Sequence, residues 1–118
     1  MLPPALNFFW QQLLDLLLQM QTAEKQHLQT HLQAAIEVLA GQISPQMKAG
    51  EFPAPIVAKM QSYLTECHRL LRLLQTDVMF LQTARSTDTA RQRYAVYQQR
   101  LESAITFCRA AIDLMDNE

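Results

Sequence analysis

Apolar residues between Met60 and Leu81 fall at alternating steps of four and three: Met60, Leu64, Cys67, Leu71, Leu74, Val78 and Leu81. After a short polar break the same rhythm resumes at Tyr94, Tyr97, Leu101, Ala104, Cys108, Ala111 and Met115. Counted outward from the break, Leu81 meets Tyr94, Leu74 meets Leu101, Cys67 meets Cys108 and Met60 meets Met115. Two antiparallel helices folded about a tight turn require this mirror symmetry, because equal steps from the turn keep facing residues in one layer. The pattern predicts a long helical hairpin: a third helix from Pro55 or Ile56 to about Arg85, a turn at Ser86–Asp88 with Thr87 or Asp88 as N-cap, and a fourth helix from about Thr89 to Met115.

The first half of the chain carries two shorter stripes. Leu6, Phe9 or Trp10, Leu13, Leu17 and Met20 form one, started by Pro3 and Pro4 in a first turn where a missing N–H costs nothing. The stripe fades over 21–27 and returns out of phase at Leu28, Leu32, Ala35, Leu39 and Ile43. We read two helices, roughly 4–21 and 23–43, with Thr22 as the second N-cap and Glu24 in its first turn. One long helix with a local adjustment is the alternative, since neither Gly nor Pro separates the stripes. Ser44 to Pro55 holds Pro45, Pro53, Pro55 and Gly50 and is expected to be a linker, with Phe52 plugging one end of the bundle. A hairpin buries only one stripe, so the first two helices must cover its second face. The expectation is an all-α, antiparallel bundle of four helices built on the C-terminal hairpin, as a single domain over residues 1–118.

Composition agrees and narrows the classes. The chain has 118 residues, enough for one core and not two. Two glycines among many Leu, Gln, Ala and Arg favour helix over sheet. A formal net charge of −1 argues against a general nucleic-acid binder. The Leu-rich run from Leu6 to Met20 is broken by Asn7, Gln11, Gln12, Asp15 and Gln19 and has no basic residue before it. It fits neither a signal peptide nor a membrane span. Two cysteines make no disulfide framework and suit a reducing, cytoplasmic setting. Cys67 and Cys108 share a seam layer; a disulfide is conceivable there, and a pair of small buried thiols is the plainer reading.

Candidate chemistry is sparse. His27 and His31 share a helix face with Glu24 one turn earlier, a spacing that could hold a metal. Gln26, Gln29, Thr30 and Gln33 make that face a hydrated one, and no third strong ligand is evident, so neither metal nor cofactor is expected. A histidine phosphotransfer domain shares the length and class. Its histidine is usually followed by a Lys-Gly pair, and none of His27, His31 or His68 is. No glycine-rich phosphate loop, paired carboxylates or nucleophile constellation suggests an enzyme. Charge is less evenly spread. Lys59, Arg69, Arg72, Arg85, Arg91, Arg93, Arg100 and Arg109 lie on the hairpin against Glu66, Asp77, Asp88 and Glu102, and the arginines are densest at the tip. Phe80 falls off the seam, so it must meet the second helical layer or face solvent. Phe80, Arg85, Arg91 and Arg93 are therefore the candidate protein-binding residues: an apolar anchor with a basic rim for an acidic or amphipathic segment.

The run Asp77-Val78-Met79-Phe80-Leu81-Gln82-Thr83-Ala84-Arg85, followed by Thr89-Ala90-Arg91-Gln92-Arg93, resembles the cyanobacterial heterocyst frequency control protein PatD family. Arg100-Leu101 and Phe107-Cys108 are similar to that family's C-terminal helix, so the resemblance covers about 77–112. It implies a small cytoplasmic regulator without catalytic activity that associates with the tubulin-like division protein FtsZ, modulates its assembly and influences heterocyst frequency. A relative from a species without heterocysts would keep only the division role. The family supplies no binding residues to carry over, and the tip assignment rests on the residues themselves. A monomer would cap or decorate filaments and a homodimer could bundle them. A helical oligomerisation or adaptor module with another partner is the alternative.

Overall fold

A computed structural model describes residues 4–49 and 54–117. Helix α1 spans Pro4–Thr22 and buries Leu6, Trp10, Leu13, Leu17 and Met20. Trp10 takes the stripe position and Phe9 is only half-buried. The chain then leaves the helix at Ala23 and Glu24, the latter extended at φ −67° and ψ 152°. A 3-10 turn at Lys25–His27 leads into α2, Leu28–Val38. The first two helices are thus separate, which decides between the two readings of the phase slip. Thr22 is the last residue of α1 rather than the N-cap of α2; His27 holds that position and makes no side-chain cap.

The expected linker is shorter than the prolines suggest. After α2 comes one π turn, Leu39–Ile43, in which the Ser44 N–H bonds to the Leu39 carbonyl, and helix α3 follows at Ser44–Ala49. Pro45 has no N–H to give to Gly41 and its ring crowds that carbonyl in an ordinary helix. A wider turn just before it relieves both problems, so the rod continues and buries Met47, four residues after Ile43. Phe52 lies outside the described residues.

Helix α4 spans Ala54–Thr83 and α5 spans Thr87–Asp116, with Pro55 in the first turn of α4. Thirty residues apiece make rods of about 45 Å. The N-cap of α5 is Ser86, one residue before the expected caps. Its backbone is extended and its Oγ accepts from the Thr89 N–H at 3.4 Å. Among the described residues there is no strand.

The helices close into a ring: α4 lies along α5, α5 along α1, α1 along α2, and α2 along α4. The result is an all-α antiparallel bundle measuring 51 × 21 × 20 Å. Hairpin register follows the mirror pattern. Cys67 and Cys108 are buried neighbours across the seam, and the Arg100 Nη1 donates to the Asp77 Oδ1 at 2.5 Å farther along. Every seam residue is buried except Tyr94, which is 43% exposed. Two bonds fix α1 on α5. The Asn7 side-chain amide donates to Asp116 at 2.8 Å, and the buried Tyr97 hydroxyl donates to the Met20 carbonyl at 3.1 Å. From the Tyr97 bond, α5 continues about 15 Å toward its first residue, while Gln21 and Thr22 extend α1 by only about 3 Å. The hairpin therefore overhangs the end of α1, and the corner that follows faces it across a cavity, with the 3-10 turn packed on α4.

Candidate functional site

The overhang decides what each tip residue can do. Phe80 lies one turn before the end of α4 and is 41% exposed. It is not covered by α1 or α2, as one of the two expected arrangements would have it. Its neighbour is Arg93, whose guanidinium carbon sits 4.2 Å from the ring centroid. A cation over an aromatic face holds both groups in place at the surface. Met79 beside it is more exposed still. Arg85 is exposed on the connection between the helices. Arg91 lines a different feature, a cavity between the two turns. The four candidate residues thus share one end of the molecule and divide between a flank (Phe80 and Arg93), the turn itself (Arg85) and the cavity rim (Arg91).

That cavity has a volume of about 410 Å³ and is built from three places in the chain. Met20, Ala23, Lys25 and Leu28 come from the α1–α2 corner. Leu81 comes from the last turn of α4, and Thr87, Ala90, Arg91, Tyr94 and Tyr97 from the start of α5. Tyr94 and Tyr97 stack with centroids 5.7 Å apart. Burial, with Tyr94 adding a smaller effect, pushes the Tyr97 phenol well above its ordinary range, so it stays a neutral hydrogen-bond donor. The corner residues were missed in the sequence. The signal was present: in an up-down bundle the first and third connections lie at the same end, so the phase slip at 21–27 had to face the hairpin turn.

Elsewhere the structure offers less chemistry. A polar depression along one face of α5, at Gln99, Glu102, Ser103, Thr106 and Phe107, is shallow and has no convergent charged groups. Cys67 and Cys108 are free, buried thiols. The neighbouring Cys67 thiol, and then burial, push the Cys108 thiol far up, which leaves it without nucleophilic character at neutral pH. Among the described residues, no three His, Cys, Asp or Glu side chains converge on a possible metal position. No helix among them is long and apolar enough to cross a membrane. No family model, curated protein or solved structure matches the chain.

Proposed function

We propose that this chain is a non-enzymatic cytoplasmic regulator of the PatD kind, which binds FtsZ through the tip of its helical hairpin and modulates filament assembly. In an organism that forms heterocysts it would act on their frequency. One observation carries the proposal: the stretch that resembles PatD, about 77–112, includes the hairpin tip, which presents Phe80 and Arg93 stacked at the surface. An aromatic anchor with a pre-positioned cation suits an acidic, amphipathic segment of a protein partner, because the ring is desolvated and the guanidinium is paired in one step. Arg85 and Arg91 extend the positive field around it and speed encounter with an acidic surface.

Co-sedimentation with polymerised FtsZ tests the proposal. The wild-type chain should pellet with polymers, and the variant carrying Arg85→Glu, Arg91→Glu and Arg93→Glu should not. A charge-reversed protein that still pellets with unchanged helicity would remove the tip as the site.

A further inference from the structure

The apolar seam of the hairpin is unfinished at its last layer. Leu81 and Tyr94 should close it, yet Tyr94 stands open because α1 ends at Thr22 and the chain turns away. The space left over is the cavity of about 410 Å³, and its floor is core: Met20, Leu28, Leu81 and Tyr97 are all buried residues that also line it. Volumes from about 300 Å³ upward accept ligand groups with good burial. The charged lining consists of Lys25 on one side and Arg91 on the other, with no carboxylate. Both are exposed residues, so they meet charge at the rim rather than inside.

The geometry points to an anchor pocket for an acidic protein segment: a bulky apolar side chain fills the space over Leu81 and Tyr94, and carboxylates flanking it on the segment pair with Lys25 and Arg91. A floor of apolar core with cations on opposite rims fits a chain that passes over the mouth, with its anchor pointing down and its charges on either side. The inference deepens the tip proposal and takes from it only the idea of an acidic partner. It moves the anchor from Phe80, which projects, to a hole that receives.

Two substitutions belong to the pocket and not to the outer tip. Lys25→Glu reverses one rim charge. Ala90→Leu fills the cavity from the wall of α5 with a strong helix former, and circular dichroism should show unchanged helicity. In co-sedimentation with polymerised FtsZ, each should weaken binding about tenfold or more. In parallel, fluorescence anisotropy uses a labelled peptide with a central Leu-Phe pair flanked by Glu residues, the same peptide with Lys for Glu, and sodium decanoate as competitor. The acidic peptide should bind, the Lys peptide should not, and both substitutions should weaken the acidic peptide about tenfold. If wild type pellets with FtsZ and both pocket variants pellet equally well, the pocket inference is overturned and the FtsZ proposal stands. If wild type does not pellet, the FtsZ proposal falls and the peptide arm alone decides the pocket. Failure of the acidic peptide to bind, binding indifferent to Lys25→Glu and Ala90→Leu, or binding of decanoate alone overturns it.

Discussion

The two ends of the hairpin obey the same hydrophobic rule and reach different outcomes. At the end away from the turn, Met60, Cys67, Cys108 and Met115 keep their seam partners and are buried, with α1 packed on α5 and α2 packed on α4. Near the turn, Leu81 and Tyr94 keep their register, but the α1–α2 corner covers only Leu81 and leaves Tyr94 43% exposed. The difference comes from the length of the neighbours and not from the hairpin's own pattern. A seam position is a request for burial, and whether it is met depends on how far the other helices run. The closed end is therefore scaffold, while the open end is apolar surface held on a rigid frame.

Removing one large side chain from each region tests that contrast most strongly. Leu101 is fully buried mid-seam, so Leu101→Ala should cost about 2–5 kcal/mol in urea unfolding. Tyr94→Ala loses a ring already partly in water and its stacking on Tyr97, and should cost about 1 kcal/mol. Equal losses would mean that the turn-end layer is covered in solution, and the anchor pocket would lose its basis.

How much of this was legible beforehand follows the same division. Local periodicity fixed the hairpin register, since side-chain spacing along one helix dictates spacing along its partner. It also found both stripes of the first half. The π turn was hidden because Pro45 reads as a breaker. Met47, four residues beyond Ile43, was the countersignal that the stripe continued. The Ser86 cap was missed by one residue, since Ser, Thr and Asp at 86–88 are all competent caps and only backbone geometry separates them. Phe80 and the arginines were found as a charge cluster. The pocket was not, because four of its ten lining residues come from a corner some sixty residues earlier in the chain.

The next contrast lies at the boundary between the two regions. Asp77 is 3% exposed, bonded to Arg100 through one oxygen, and its Oδ2 has no partner among the described residues. Arg100→Met should leave a buried carboxylate uncompensated and cost about 1–3 kcal/mol. Adding Asp77→Leu should recover most of that loss, because the pair's attraction only offsets its desolvation. A double-mutant cycle in urea measures both. If Arg100→Met costs nothing, water already reaches Asp77 and the open region extends one turn farther down the hairpin.

Smaller effects of opposite sign mark the two ends. Ser86→Ala removes the cap at the turn and should destabilise by about 0.5–1 kcal/mol, toward the low side for a 3.4 Å bond. In the π turn, a Cβ on Gly41 would meet nothing within 4 Å, and its φ is not positive. Gly41→Ala should therefore stabilise by about 0.5–1 kcal/mol through the unfolded chain. Thermal unfolding separates them, with the melting temperature falling for the first and rising for the second. A loss on Gly41→Ala would mean that the π turn needs a conformation only glycine supplies.

The finest test uses protons at the covered part of the hairpin. His68 on α4 is half-buried and lines a small cavity with Ile36, Leu39 and Leu71. Desolvation first, and then the charges of Arg72 and Lys48, lower its pKa below the ordinary 6.5. Below about pH 6.5 the unfolded chain therefore takes up a proton that the folded one resists, and stability falls as pH drops through that window. Above it both states are neutral and the effect vanishes. The melting temperature should decline between about pH 7 and pH 5.5, before carboxylates titrate, and His68→Gln should flatten the decline. Lys25→Gln, at the open end and remote from His68, should leave the decline as it is. A decline that survives His68→Gln unchanged would place the proton uptake elsewhere, and the packing of α2 on α4 would then not be what excludes water from this histidine.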